Sequence, residues 1–238
     1  MPTSNSLKST ARQAGFLYLL MLFVAPLSEF FLKARFIVSG NAAATALRIN
    51  AEPVLYRLWL LADLASGVIF LLLALLLYEL FRDVDRKQAR LMLGLVFTGV
   101  GTGMIDSVCG AAPLLLLGHA NYLAAFTPPQ LEALAMFFIR LGGSSTVIAT
   151  FFWGFWLLPF GSLVLKSGYY PKFLGVLLIV GGITYSALGF TNLVFPAYGP
   201  LVFKFGMPFY AAGELCIIFW LLLAEARIPD PAATLGPR

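Results

Sequence analysis

Charged side chains are scarce in this 238-residue sequence: Asp, Glu, Lys and Arg together make up 11% of it, against 60% hydrophobic residues. A soluble domain carries about a quarter of its residues as charged groups, so the composition excludes a water-soluble globular protein. The apolar residues run in blocks of about 20 or more, long enough to cross ~30 Å of hydrocarbon as a helix. The sequence therefore predicts an integral membrane protein in contact with the lipid bilayer.

Histidine and cysteine are almost absent, which excludes several kinds of site. The chain has one histidine, His119, and two cysteines, Cys109 and Cys216, which lie in separate apolar blocks. No pair of histidines is present to hold zinc or haem, and isolated cysteines in apolar blocks behave as small hydrophobic residues. The "GVGTG" at residues 99–103 has no strand before it, so it does not indicate a nucleotide site. We predict no catalytic residue, no metal site and no cofactor.

Basic residues outnumber acidic ones, 16 to 11, giving a formal net charge of +5. They lie at the ends of apolar blocks and not along one face, which excludes the basic stripe of a nucleic-acid-binding protein. One side of the membrane receives Lys8, Arg12, Arg82, Arg86, Lys87, Arg90, Lys166, Lys172 and Arg227, and the other receives Lys33, Arg35, Arg48, Arg57 and Lys204. Because positive charge favours the cytoplasmic side, we predict a membrane protein with both termini in the cytoplasm.

The apolar blocks predict an all-α bundle of about six transmembrane helices. They cover residues 14–32, 54–81, 91–117, 131–165, 173–195 and 209–224. The fourth block suits one tilted helix, because it is too short for two crossings. The stretch 196–208 is rich in Gly and Pro and predicts a turn-rich link. We expect a single domain over 1–238, with a short tail at 1–12, a retained first helix and a proline-rich tail at 227–238.

Five ionisable residues fall inside the apolar blocks, and they are the candidate ligand-binding residues: Glu29, Asp63, Asp106, Arg140 and Glu214. A charged side chain at the centre of a bilayer costs ~3 kcal/mol, so such residues usually face the interior of a helix bundle. With both termini in the cytoplasm, all five lie at mid-membrane or in the outer half. We predict that they line a polar cavity open to the outside, with Arg140 as the cationic partner of one or more acids.

Four acids against one arginine favour a small cation or a proton as the ligand of such a cavity. A different class of function stays open: a structural membrane protein in which Arg140 pairs with Asp106 or Glu214 only to fix helix register. A third hypothesis, an enzyme that acts on lipid with an acid as general base, has no positioned nucleophile or metal to support it. Neither the ligand nor the oligomeric state follows from the sequence.

Small residues predict which helices touch. Gly99 and Gly103 have the spacing that lets the backbone of a neighbouring transmembrane helix approach closely, and residues 142–145 are Gly-Gly-Ser-Ser. We expect these two smooth surfaces to bring the third and fourth helices together. That contact would place Asp106 near Arg140.

Two stretches carry a resemblance to a known family. Residues 153–185 read "WGFWLLPFGSLVLKSGYYPKFLGVLLIVGGITY", and the N-terminal motif "AR-AG-LYL" is formed by Ala11, Arg12, Ala14, Gly15, Leu17, Tyr18 and Leu19. In both, the chain resembles the bacterial multi-pass membrane proteins grouped as domain of unknown function 4386. The resemblance implies an inner-membrane protein of about six helices and no particular activity. In physical terms, Pro159 is expected to kink the fourth helix, and Lys166 and Lys172 to anchor the following turn in anionic headgroups.

Overall fold

The computed structural model describes residues 4–118 and 120–223, and every regular element within them is a helix. Six stretches are long and apolar enough to cross a membrane: Ser6–Phe36, Pro53–Phe81, Arg86–Leu116, Pro128–Ser167, Lys172–Val194 and Pro196–Leu223. We number these spans in chain order. They confirm the predicted all-α, multi-pass architecture. His119 and the proline-rich tail at 227–238 lie outside the described residues.

Nine α-helices make up most of the described chain. They are α1 (Ser4–Pro26), α2 (Ala34–Phe36), α3 (Ala42–Ala51), α4 (Pro53–Phe81), α5 (Arg86–Leu116), α6 (Pro128–Phe155), α7 (Leu157–Ser167), α8 (Lys172–Val194) and α9 (Gly199–Leu223). A π-helical segment, Leu27–Lys33, joins α1 to α2, and short 3₁₀ turns occupy Asn121–Leu123 and Pro196–Tyr198. The first span is therefore α1, the π-helical segment and α2 in succession.

Three boundaries differ from those predicted. Helix α1 already begins at Ser4, so most of the expected N-terminal tail is helical. The first span continues to Phe36, beyond the expected end at residue 32. The turn-rich link expected at 196–208 is wrong, because α9 begins at Gly199 and contains Pro208. A proline in a helix forfeits one backbone hydrogen bond but does not have to end the helix when the surroundings are apolar and packed.

The fourth span is interrupted at Trp156, between α6 and α7. Pro159 lies three residues later and has no N–H to offer the carbonyl of Phe155, which weakens the helix at that point. The interruption lies at the place where the kink was expected. Helix α7 then ends at Gly168, whose φ of 68° lies in the left-handed region that glycine adopts without strain.

The described residues form two compact units. The first unit contains residues 1–20, 69–100 and 149–238, as far as they are described. Its α4 portion buries one face at helical spacing, formed by Phe70, Leu73, Ala74, Leu77 and Phe81. Helix α8 packs against both α7 and α9 in this unit. Large apolar side chains such as Phe16 and Phe219 remain exposed, as expected for a surface that meets lipid.

The second unit contains residues 21–68 and 101–148. Its core is aromatic: the ring centroids of Phe36 and Tyr56 are 5.1 Å apart, and those of Tyr56 and Trp59 are also 5.1 Å apart. The Tyr56 hydroxyl donates a 2.8 Å hydrogen bond to the carbonyl of Gly110. This aromatic group fixes the end of the first span against the start of α4 and one turn of α5. Most of the predicted ionisable residues lie beside it.

Candidate functional site

Lys33 lies at the centre of the strongest polar contact in the second unit. Its Nζ is 2.8 Å from Oε1 of Glu29, one helical turn earlier, and it also donates to Oδ2 of Asp106 on α5. The side chains of Lys33 and Asp106 are only 11% and 4% exposed, whereas that of Glu29 is 34% exposed. An ammonium group and two carboxylates therefore meet within the membrane-spanning part of the chain.

Asp63 brings a third span to the same place. It lies on α4 and accepts a hydrogen bond from Ser107 Oγ, next to Asp106 on α5. Asp63 also interacts electrostatically with both Lys33 and Asp106. We call Glu29, Lys33, Asp63, Asp106 and Ser107 the Lys33 cluster. It holds three carboxyl groups and one ammonium group, contributed by the first, second and third spans.

Trp59 forms an apolar wall beside the ammonium group. The Nζ of Lys33 is 5.6 Å from the centroid of the Trp59 ring, within the range of a cation–π interaction. Trp59 is 2% exposed and packs tightly on α5, where a Cβ added to Gly110 would lie 2.5 Å from its Cη2 atom. The indole therefore has little room to move away from Lys33.

Gly142 allows α6 to approach the cluster. A Cβ at this position would overlap the Asp106 carboxylate and would lie 3.1 Å from Cβ of Cys109. In the first unit, a Cβ at Gly99 would lie 2.9 Å from Cβ of Phe152. Small residues thus do bring the third and fourth spans together, as expected. At Gly142 this contact helps to keep Asp106 away from lipid and water.

Arg140 does not pair with the acids, so that part of the prediction is wrong. The residue is exposed, and it forms no ion pair with any side chain in 4–118 or 120–223. The reason is helical geometry: Gly142 faces Asp106, and a residue two positions away is rotated by about 200° around the helix. Lys33, which was expected just beyond the outer end of the first apolar block, takes the place expected for Arg140.

Glu214 belongs to the first unit and has its own partners. It is 5% exposed, and the Tyr18 hydroxyl donates a 2.5 Å hydrogen bond to its Oε1. Tyr210 also hydrogen-bonds to Glu214, and the Tyr210 ring stacks on Tyr185 with centroids 4.2 Å apart. Two tyrosines, from α1 and α9, therefore contact this glutamate, and a third, from α8, stacks on Tyr210.

Two acids of the second unit, Glu29 and Asp106, contact a lysine that was not among the predicted site residues. Two open and mostly apolar grooves on the described part of the chain contain no member of the Lys33 cluster. They are lined by residues such as Phe126 and Phe137, or Pro53 and Leu58. No three His, Cys, Asp or Glu side chains within 4–118 and 120–223 are placed to hold a metal ion.

Two partners of the predicted acids, Lys33 and Tyr18, were not among the residues predicted from the sequence. Lys33 had one available signal, its i,i+4 spacing from Glu29, which is the spacing of an ion pair on a helix surface. Tyr18 had none, because its partner Glu214 is 196 residues away in the sequence.

A family model described as Domain of unknown function (DUF4386) matches residues 13–224. No curated protein and no solved structure matches the chain. The motif residues on which the resemblance was based have packing roles in the first unit. Ala14 and Tyr18 are buried, and a Cβ at Gly15 would lie 2.9 Å from the side chain of Leu221.

Proposed function

The chain belongs to the family described as Domain of unknown function (DUF4386), and from the Lys33 cluster we propose that it binds a small cation or a proton and carries it across the membrane. One observation carries this proposal: one ammonium group contacts two carboxyl groups, and a third carboxyl group, that of Asp63, interacts with it electrostatically. Ionised carboxylates in excess of their counter-ions are costly inside a membrane. A bound cation or proton would offset that excess.

The exposure of the cluster is graded, which supports exchange with the surroundings. The side chain of Glu29 is 34% exposed and that of Asp106 is 4% exposed, and both contact the Lys33 ammonium. Glu29, Asp63 and Asp106 are therefore the ligand-binding residues of this proposal, and Arg140 and Glu214 have no part in it.

We place the protein in the inner membrane with both termini in the cytoplasm. The basic residues at the ends of the apolar blocks divide nine against five between the two sides. Under the positive-inside rule the more basic side is cytoplasmic. In that orientation the first span ends on the outside, and the cluster near its end lies in the outer half of the membrane.

A structural role is the competing function, and the deep burial of Lys33 with Asp106 favours it. A buried ion pair between two helices can specify their register without binding anything else. In that case the protein would move no ion, and loss of either partner would only lower its stability.

Flux through the purified protein separates the two functions. We would reconstitute it into liposomes that contain a pH-sensitive dye and apply an inside-negative potential with a K⁺ gradient and valinomycin. Parallel vesicles would report uptake of Na⁺ or methylammonium. We expect uptake of a proton or one of these cations above the rate of empty liposomes, and a return to that rate in Asp106→Asn.

The matched control is Glu79→Gln, which removes a carboxylate paired with Arg82 at an exposed helix end. It should retain wild-type flux. Each variant would be checked for a folded state by size-exclusion chromatography and thermal unfolding. If wild-type vesicles take up none of the tested ions, the carrier proposal is wrong and the structural role is favoured.

A further inference from the structure

Glu214 is a buried acid of the first unit that the Lys33 cluster does not use. It is 5% exposed and lies on α9, which continues beyond it to Leu223. At 1.5 Å per residue, this places it about 13 Å from that end of the span. A carboxylate at such a depth is costly unless a cation pairs with it or a proton neutralises it. The charge state of Glu214 therefore depends on the groups around it.

No cation accompanies this acid in the described part of the chain. Within 4–118 and 120–223, Glu214 forms no ion pair with a lysine or an arginine. The basic residues of α1, α8 and α9 all lie in the first three turns of their helices, and they are Lys8, Arg12, Lys172 and Lys204. The other ionisable side chains of these helices are Tyr18, Tyr185, Tyr210 and Cys216, none of which is a cation.

Two tyrosine hydroxyls can satisfy this carboxyl group in either charge state. The Tyr18 hydroxyl lies 2.5 Å from Oε1 of Glu214, and Tyr210 also hydrogen-bonds to the group. A phenol hydroxyl both donates and accepts hydrogen bonds. A protonated Glu214 can therefore donate its O–H to the Tyr210 oxygen, and an ionised Glu214 can accept from both tyrosines. A lysine or arginine partner would lack this freedom, because it carries donors only.

The packing around Glu214 suits a ligand that needs no cavity. On the neighbouring Gly213, a Cβ would lie 3.0 Å from the carbonyl oxygen of Leu177, so α9 lies close against α8 here. The Tyr18 ring lies 6.0 Å from that of Trp156, and both residues are 1% exposed. Nowhere in 4–118 or 120–223 are three His, Cys, Asp or Glu side chains placed to hold a metal ion. A proton requires neither space nor further ligands.

We infer that Glu214 is a proton-binding site inside the membrane, occupied at neutral pH, with Tyr18 and Tyr210 as its hydrogen-bond partners in the bound and the released state. Release converts the carboxylic acid into a carboxylate and a free proton, and no other bond breaks. The site lies in the first unit and shares no residue with the Lys33 cluster. It therefore goes beyond the proposed function and does not depend on it.

Infrared spectroscopy of the full chain in lipid vesicles tests whether the proton is bound. A protonated carboxyl group has a C=O stretching band that a carboxylate lacks, and isotope-labelled glutamate separates the bands of Glu from those of Asp. At neutral pH we expect the intensity of one such glutamate band to be lost in Glu214→Gln. That variant should fold, because glutamine has the shape of a protonated glutamate and is likewise neutral.

Glu79→Gln is the matched control, because it removes a carboxylate that pairs with Arg82 at an exposed helix end. It should leave the band of protonated glutamate unchanged. Identical spectra of the wild type and Glu214→Gln in this region would show that Glu214 is ionised, and this would overturn the inference.

Release of the proton is tested by raising the pH. The Glu214 band of the wild type should disappear while the protein stays folded in size-exclusion chromatography, and it should return when the pH is lowered. A band that persists until the protein unfolds would show a permanently neutral acid and would also overturn the inference.

The role of Tyr18 has its own spectroscopic signature. In Tyr18→Phe the carbonyl of Glu214 loses a hydrogen bond, so its band should move to higher frequency. Tyr198→Phe should leave the band in place, because Tyr198 is exposed and precedes α9. If Glu214→Gln does not fold, this comparison decides: a band that is absent from the wild type, or unmoved in Tyr18→Phe, contradicts the site.

Discussion

Gly142 is the residue on which the enclosure of Asp106 depends. A Cβ added there would overlap the Asp106 carboxylate and lie 3.1 Å from its Cα, whereas a Cβ on the adjacent Gly143 would meet nothing within 4 Å. Both glycines lie in α6, so the same substitution at each position tests close approach separately from helix propensity. The pair provides its own control.

We expect Gly142→Ala to destabilise the protein by about 1–3 kcal/mol, the usual cost of overpacking a filled site. Gly143→Ala should be neutral or stabilising by up to about 1 kcal/mol, because alanine favours a helix over glycine. Unfolding of the two variants in detergent measures both effects. Equal stabilities would show that α6 does not approach Asp106 as closely as described.

At the scale of residues, the sequence predicted which acids matter better than it predicted their partners. Asp63 and Asp106 stood out because a carboxyl group within an apolar block is costly wherever it faces lipid. Arg140 stood out for the same reason, but its direction around α6 depends on which face of that helix is buried. Lys33 was expected just beyond the first span because hydropathy ends that span at about residue 32.

The π-helical segment is the element that places Lys33 inside the membrane. Leu27–Lys33 continues the first span after Pro26 and carries both Glu29 and Lys33. Such wide turns occur frequently at functional sites, and they have no hydrophobic period of their own by which a sequence would reveal them. The end of the first span therefore depends on tertiary packing and does not follow from hydropathy.

A second element-scale contact joins the turn between α4 and α5 to the end of α7. Lys166 Nζ lies 2.7 Å from Oδ2 of Asp85, and the other carboxylate oxygen of Asp85 accepts the backbone N–H groups of Lys87 and Gln88 at the start of α5. Lys166 was expected to contact headgroups, and here it also has a protein partner. The hydrogen bond from Lys166 and those from the α5 backbone lower the pKa of Asp85.

The lowered pKa of Asp85 predicts how stability changes with pH. The stabilisation is complete above the ordinary pKa of an aspartate, about 3.9, and is lost as pH falls through the lower pKa of the folded state. In Lys166→Met the fall in unfolding temperature on acidification should be smaller, though not abolished, because the backbone donors remain. Lys172→Met should follow the wild type. A curve for Lys166→Met parallel to that of the wild type would contradict this role.

At the scale of the whole molecule, hydropathy was sufficient to predict the number and order of the membrane-spanning helices. Six spans follow from apolar length alone, and α9 was underestimated only because Pro200 and Pro208 resemble a loop. The pairing of spans does not follow in the same way, since lipid-facing and protein-facing surfaces are equally apolar. Glu214 with Tyr18, and Asp106 with Lys33, are contacts that only the folded chain brings together.

The account depends most on the neutralisation of Asp106 by Lys33, and a double-mutant cycle measures that pairing directly. Unfolding free energies of Lys33→Met, Asp106→Asn and the double variant would be compared with a control cycle that combines Lys33→Met with Glu79→Gln. Each cluster variant should lose about 3–5 kcal/mol, because it leaves a buried charge unpaired. The double variant should lose less than their sum by at least about 1 kcal/mol, and the control cycle should be additive within about 0.5 kcal/mol. Additive losses for Lys33 and Asp106 would contradict the account.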